Sequence, residues 1–524
     1  MNKRLYWWIF ALILIIASGL RFYKLAQVPH GMTWDEAAIG YSGFAIFETR
    51  RDEWLHRLPI SFMSFGDYKA PFAIYLNGFF TALFGMNLWA VRLPFALASI
   101  AAIAGMILLT EKISQRQWAL AAGVLMTLSP WHLHYSRAGF ESGMSLSIFI
   151  WSLYFLISYI KDKHKKIWSL LLAVTLAATS IYTYHSAKIV LPLTFLALVV
   201  SFRRKIFKKK KNAIISAVLG ISLLAPMMWD SIKGKGLERL GSTILDELSG
   251  IELITTICKQ FLAHLSPSYL LMGQTTTLRH GDGSWGVLLP ITLLLIAFGL
   301  IFGINLFKTS QEKSELFWLG SLIIIAGLLP AALGEEVPHS NRALLALPGF
   351  VMLAVFGLKQ LISFLKKTKL NQEIKGSHGQ KNMILLSVIG SLVLAQSFFF
   401  IAYIGDYFTK FAADSAADFK DGYLDAYAFI TPYEDQVEKI IFTSDYGQPY
   451  IYALFVRQTN PIWYQGGSLI KYEFKDEINV GDLSREKTIV VASNEDELEP
   501  GWADKIIYGS DHQIRFKIYL PKEQ

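Results

Sequence analysis

Residues 5–41 read LYWWIFALILIIASGLRFYKLAQVPHGMTWDEAAIGY. The apolar run over 5–22 is long enough to cross a membrane, which takes about 17 to 25 residues. Directly behind it, Thr33, Trp34, Asp35 and Glu36 have the S/T-x-x-E spacing of a helix-capping box, in which Glu36 reaches back to the cap. The stretch predicts a span followed by a helix that opens, with two adjacent acids, where membrane meets water. Carboxylates at that depth are costly unless they do something, which makes Asp35 and Glu36 the first candidates for chemistry.

The rest of the chain repeats the apolar half of this pattern. Its 524 residues are 53% apolar and 14% aromatic, with mean hydropathy +0.37, far too apolar for an ordinary soluble enzyme. Further runs near 92–110, 117–135, 143–160, 167–184, 187–202, 213–229, 285–305, 315–333, 343–365 and 383–404 predict an α-helical polytopic membrane protein with about eleven spans. The first span resembles a signal peptide in its basic start and its Ala17-Ser18-Gly19 end, but a chain with ten further spans needs no cleavable signal, and we read it as retained.

Basic residues sort the loops. MNKR at the start, EKISQRQ (111–117), KDKHKK (161–166), RRKIFKKKK (203–211), FKTSQEK (307–313) and KKTKLNQEIKGSHGQK (366–381) mark every second connection as cytoplasmic, with the N-terminus inside. That alternation holds only if PFAIYLNGFFTALFGM (71–86) does not cross. At 16 residues it reads instead as an interfacial helix within a long first outer loop over 23–91.

The tail beyond 404 then lies outside. From Gly405 onward it has 12 Lys and Arg against 21 Asp and Glu, a net of −9, whereas the rest of the chain has 38 against 20, a net of +18. We expect a transmembrane catalytic domain over 1–404 and a separately folded extracytoplasmic α/β domain over 405–524. Within the latter, 412–430 reads as helical and KIIFTS (439–444), YIYALFV (450–456), KTIVVAS (487–493) and QIRFKIYL (513–520) read as strands. The single Cys258 excludes an intrachain disulfide and a multi-cysteine metal site. The positive net charge is accounted for by anchoring of spans, so no nucleic-acid partner is inferred. No internal repeat is evident.

The capping box gives Glu36 a sufficient structural role. Asp35 has none, because neighbouring helical side chains diverge by about 100°, and a helix N-terminus favours its ionised form. In the same loop GDYKAP (66–71) puts Lys69 before a proline-initiated helix, as a snorkelling lysine or as a cation for a lipid phosphate. Arg92 stands at the outer mouth of the second span. SPWHLHYSRAGFES holds His132, His134, Arg137 and Glu141. The two histidines have the wrong spacing to share a helix face, and Arg137 with Glu141 at i, i+4 suits a local ion pair or a second carboxylate near Asp35. YTYHSAK (182–188) brings Tyr182, His185 and Lys188 to a membrane boundary, where anchoring is the default. GEEVPHSNRALLALPG brings Glu335, Glu336, His339 and Arg342, the last suited to a phosphate or a plain loop-end charge. There is no nucleotide-binding motif, which suits an activated substrate already carried by lipid.

The order of these elements, an N-terminal span, WDEA (34–37), K-x-P (69–71), RLP (92–94) and SPxxxxYSRxxxE (129–141), resembles the polytopic glycosyltransferases of GT-C fold, near the protein O-mannosyltransferase and aminoarabinose transferase group of glycosyltransferase family 39. The resemblance covers the first 200 residues or so, with weaker support from NRALLALPG. It implies transfer of a sugar from a polyprenyl-phosphate donor to a hydroxyl of a glycan, lipid or protein acceptor at the outer face of a cell-envelope membrane. It implies Asp35 as the catalytic carboxylate and Lys69 for the carrier phosphate, although Ala70 departs from the usual Pro-Pro. Arg92 and Arg137 match recurrent arginines, and Glu141 stands where many members have Asp. Asp35 and Glu36 are thus the catalytic candidates, with Lys69, Arg92, Arg137, Glu141, His185, His339 and Arg342 as substrate-binding ones. The phosphate leaves already stabilised, so the reaction needs little general acid, and no cofactor is assigned. A divalent cation is left open, with Glu36 and Glu141 as positioning groups or metal ligands. The rival class is a transporter or flippase for a lipid-linked or anionic substrate, which calls for charges within spans and repeated halves.

Overall fold

The computed structural model describes residues 1–233, 243–245, 248–309, 314–367, 378–464, 469–484 and 486–521. Each expected span carries helix. Among the described residues seven stretches are long and apolar enough to cross: Lys3–Phe22, Leu88–Ile113, Glu141–Lys161, Arg203–Ile232, Glu315–Ala332, Ser340–Lys366 and Leu385–Asp414. The runs expected at 167–184, 187–202 and 285–305 are the shorter apolar helices Ile167–Ile181, Ala187–Ser201 and Pro290–Gly303. Helix Pro71–Phe84 has 14 residues, a length of about 21 Å against a core of about 30 Å. Most of the linker expected at 366–381, and residues 310–313, lie outside the described residues.

The run at 117–135 is not one helix. Helix Arg116–Thr127 ends, and Pro130–His134 starts anew behind the Ser129 cap. Pro130 has no N–H and its ring clashes with the carbonyl four residues back. The freed Thr127 carbonyl accepts from the buried Arg21 at 3.3 Å, whose Nε donates to Ser99 Oγ at 3.0 Å.

The chain compacts into two units. The first comprises Met1–Tyr23, Phe95–Ser136 and Phe140–Asp406 and is a helical bundle. Its helices Pro290–Thr309 and Leu347–Lys367 pack closely because a Cβ at Gly357 would lie 1.8 Å from the Leu295 carbonyl oxygen. Small residues at a crossing let two backbones approach where lipid supplies no hydrophobic drive.

The second unit comprises Lys24–Pro94, Arg137–Gly139 and Tyr407–Gln524. Its tail holds a five-stranded sheet; β1 (Phe62–Ser64) and β2 (Asp67–Lys69) form a separate hairpin in the first loop. The sheet comprises β3 (Lys439–Thr443), β4 (Tyr472–Lys475), β5 (Thr488–Ser493), β6 (Lys505–Tyr508) and β7 (Ile514–Tyr519), in the order β4-β3-β5-β7-β6. Strand β3 runs parallel to both neighbours, while β7 is antiparallel to β5 and β6. YIYALFV, expected as a strand, lies in helix Pro449–Arg457. Parallel strands need a crossover, for which a helix is the usual solution. Proline suits the first turn, and burial of Ile451, Tyr452, Ala453, Leu454 and Phe455 makes the run apolar enough to read as strand.

The tail, expected to fold by itself from Gly405, shares one core with the long first loop. Met32, Ala37, Tyr41 and Val91 pack with Tyr423, Tyr427, Phe442, Tyr452 and Phe516. Tyr452 donates to the Met32 carbonyl at 2.7 Å, and Tyr41 to that of Thr459 at 2.9 Å. Helix Trp34–Thr49 is apolar on nearly every side and needs a cover on each.

Candidate active site

Two adjacent acids at the start of helix Trp34–Thr49 take opposite environments. Thr33 and Glu36 form the capping box on both sides, with the Thr33 amide donating to Glu36 Oε2 at 3.0 Å and the Glu36 amide to Thr33 Oγ1 at 3.2 Å. Glu36 is 1% exposed. Its carboxylate also accepts from Arg92 Nε at 2.7 Å, from Arg92 Nη2 at 3.2 Å and from the Gly139 amide at 2.9 Å. A Cβ at Gly139 would lie 2.7 Å from Glu36 Cγ, so that approach requires glycine.

Arg92 is fully buried and spends all five N–H donors. Beyond its fork on Glu36 it donates to the carbonyls of Leu25 at 3.1 Å, Pro29 at 2.9 Å and Gly31 at 2.8 Å. Arg137, also buried, donates to the carbonyls of Lys24 and Val28, both at 3.1 Å, with its guanidinium 4.7 Å above the Phe408 ring. The irregular segment 24–31 has no ladder for the carbonyls of Leu25, Val28, Pro29 and Gly31, and buried backbone groups must be paired. The two arginines supply the donors. Arg92 has none left for a substrate phosphate, and Glu36 no open face for a reacting hydroxyl. Both expectations give way to a bracing role that sets the helix start.

Asp35 points elsewhere. It keeps 27% exposure and pairs with the buried Lys69 ammonium. Lys69 closes β2, whose hairpin turns at Phe65 and Gly66, with φ of 56° and 77°. Two successive left-handed residues are what a tight two-residue hairpin turn demands. The hairpin and the helix-starting Pro71 hold Lys69 from both sides.

The same unit contains a buried acid that the sequence reading passed over. Glu53 is buried, its Oε2 has no hydrogen-bond partner among the described residues, and Tyr450 lies at 3.5 Å from its Oε1. Burial first, and then the charge of Asp52, push its carboxyl up to about 8. A second adjacent acid pair in the first loop, Asp52-Glu53, was the available signal.

The remaining expected residues belong to the first unit. Glu141 opens helix Glu141–Lys161 and is half-buried. His185 lies in the turn between helices Ile167–Ile181 and Ala187–Ser201, its carbonyl accepting from the Lys188 amide at 2.9 Å. His339 is buried within a histidine group. Its amide donates to His264 Nε2 at 3.0 Å, and His264 Nδ1 in turn donates to the Gln260 carbonyl at 2.8 Å. The His280 and His339 rings lie 4.3 Å apart, and Glu336 approaches His339 Nε2 to 4.0 Å. Burial, with Arg342 and His264 nearby, pushes the His339 imidazole down to about 3. Its ring is therefore neutral, with Nδ1 accepting from the Arg342 amide at 3.4 Å, and His280, Glu336 and His339 offer ligand atoms within 4.8 Å of one another. Arg342 follows in the next helical turn, and a Cβ at Gly334 would meet its Nη1 at 2.2 Å.

Residues 68–229 match the family model of dolichyl-phosphate-mannose-protein mannosyltransferase. No curated protein sequence matches significantly. Among solved structures, ArnT of Cupriavidus metallidurans bound to undecaprenyl phosphate is similar over 98% of this chain and 99% of that one, with TM-score 0.57 and 12% identity. The oligosaccharyltransferase of Archaeoglobus fulgidus is similar over 94% of this chain and 70% of that one, with TM-score 0.54 and 11% identity. A further structure of the archaeal enzyme, complexed with an inhibitory peptide and dolichol-phosphate, gives TM-score 0.51, 12% identity and coverage of 88% and 64%. The protein thus has the GT-C fold that these structures share, and its residues 68–229 match the mannosyltransferase family model.

Proposed function

We propose that the protein is a membrane glycosyltransferase that moves a sugar from a polyprenyl-phosphate carrier to an acceptor hydroxyl on the extracytoplasmic face. The observation that carries this reading is the Asp35–Lys69 pair, a partly exposed carboxylate against a buried ammonium at the positive end of a 16-residue helix. The carrier phosphates named in the solved relatives, undecaprenyl phosphate and dolichol-phosphate, support a donor of the same class here.

In the reaction the acceptor oxygen attacks the anomeric carbon, the bond from that carbon to the phosphate oxygen breaks, and the carrier leaves as a phosphate monoester. Lys69 stabilises the charge developing on that oxygen. An entering phosphate shares the lysine and releases the Asp35 carboxylate, which takes the acceptor proton. A single displacement inverts the anomeric centre. No second carboxylate is needed for acid duty, unlike in a glycosidase.

The charge alternation of the loops supports an inside N-terminus and an outside site and tail. Glu141, His185 and Arg342 stand as further substrate-binding groups. Where the reaction uses a divalent cation, His280, Glu336 and His339 are the groups that would hold it. The test is transfer from a purified polyprenyl-phosphate sugar by the full chain and by Asp35→Asn. Loss of transfer in a folded variant is expected; undiminished transfer would overturn the reading.

A further inference from the structure

At one end of the first unit's bundle lies a cavity of about 520 Å³. Its apolar wall is made by Ile113, Ile157, Ile160, Leu198, Trp318 and Leu322. These residues lie near the ends of the four helices Leu88–Ile113, Glu141–Lys161, Ala187–Ser201 and Glu315–Ala332. The rim is charged. Lys161 pairs with Glu315, both about one-third exposed, and Lys205 completes the edge.

Lys205 is exposed, its ammonium lies 5.6 Å from the Phe202 ring centre, and among the described residues no carboxylate pairs with it. Arg203, Arg204 and Lys208 flank it, exposed and likewise without a carboxylate among the described residues, while Ile206 anchors the short helix Arg203–Ile206 inward. Lys165 and Lys209 crowd the same corner but are engaged, Lys165 with the carbonyls of Tyr159 and Ile160 and Lys209 with that of His164. Burial, together with Lys205 and Lys208, holds the Lys165 ammonium below its ordinary value.

We infer that this cavity is a binding site for an anionic phospholipid, with an acyl chain among the four helix ends and the headgroup phosphate against Lys205 and its flanking cations. Topological anchoring alone accounts for basic residues at a helix end but not for an apolar cavity opening beside them. A neutral lipid would fill the cavity and leave the cations uncompensated. Basic pockets between spans are where anionic headgroups are held, each nearby cation contributing roughly fivefold in affinity. The site lies in a different part of the fold from the Asp35–Lys69 pair and does not depend on the proposed transfer reaction.

The experiment uses the full chain in detergent, titrated with phosphatidylglycerol or phosphatidylcholine carrying the same brominated acyl chains, and reads quenching of tryptophan fluorescence. Half-saturation is expected at least about fivefold lower for phosphatidylglycerol. Trp318→Phe removes the quenched component, Lys205→Ala lowers the preference between the two lipids by about fivefold, and Ala197→Phe, at a residue that lines the cavity and would fill it, abolishes quenching by both. Native mass spectrometry of the same proteins provides a second readout, with retained phosphatidylglycerol lost in Ala197→Phe. Equal half-saturation for the two lipids, or quenching and retention that survive Ala197→Phe, overturns the proposal. Displacement of phosphatidylglycerol by free glycerol phosphate would also overturn it, since the site would then be for a soluble phosphate.

Discussion

Asp35 and Glu36 are neighbours in sequence and each pairs with a cation, yet the two ion pairs are opposites. Glu36 and Arg92 are both buried, with five guanidinium N–H groups and both carboxylate oxygens engaged by the protein itself. Asp35 keeps 27% exposure against a buried Lys69. A saturated pair has nothing left to offer a substrate and everything to lose on truncation. A half-open pair can exchange one partner for an incoming phosphate. The difference teaches that charge type and helix position do not separate brace from site; the remaining hydrogen-bonding capacity does.

The sharpest way to break the comparison is Asp35→Asn. If Asp35 is the base, transfer falls by about 10²- to 10⁴-fold, far more than the loss of folded protein that follows from leaving the buried Lys69 without its carboxylate. A matching loss of folded protein would make Asp35 a second brace. Arg92→Ala is expected to do the reverse. Leaving Glu36 buried without its partner costs about 3 to 5 kcal/mol, read as a drop in denaturant midpoint, and Arg92→Lys, which lacks the five-donor fork, recovers only part of it.

Lys69→Ala should raise the KM for the lipid donor and lower kcat, by an order of magnitude or more, as expected for loss of a charge-stabilising donor. Lys69→Arg should restore part of the activity. A variant that changes stability alone would move Lys69 to the bracing side. Gly139→Ala is a milder probe, crowding Glu36 Cγ at 2.7 Å without touching Lys69. It should lower stability by about 1 to 3 kcal/mol, the usual cost of overpacking, and affect turnover less than Asp35→Asn does.

Glu53 sharpens the contrast through pH. Its carboxyl is pushed up to about 8 from 4.5 by burial and by Asp52. Between those values the folded chain holds a proton that the unfolded chain releases, so stability declines as pH rises from about 4.5 to about 8. Glu53→Gln keeps the shape without the charge. It should flatten that decline and raise the melting temperature at pH 8 to 9, with little change near pH 5; an unchanged slope in thermal melts across that range would remove Glu53 from the account.

Much of the fold was legible because spans announce themselves by length and the capping box by a four-residue spacing. Asp35 and Lys69 were legible for a related reason, as charges close to a membrane boundary in a single loop. Arg92 and Arg137 were not. An arginine that collects backbone carbonyls and one that waits for phosphate have the same letter and the same neighbours in sequence. YIYALFV misled because burial on most sides of a short helix erases the periodicity that separates helix from strand. The Pro130 break within 117–135 was written in the sequence, but the buried Arg21 that satisfies the freed Thr127 carbonyl comes from 106 residues away.

By itself, the sequence determined that this is a polytopic helical membrane protein, that its loops alternate in charge, that its tail is acidic and mixed in structure, and that Asp35 has no local structural duty while Glu36 has one. These follow from hydropathy, spacing and helix geometry, which act over a few residues. Only the tertiary structure decided that the tail shares its core with the long first loop, that Arg92 spends every donor on the protein, and that Lys69 is the partner of Asp35. Those outcomes depend on which groups satisfy one another once water is excluded, and that pairing joins residues tens to hundreds of positions apart.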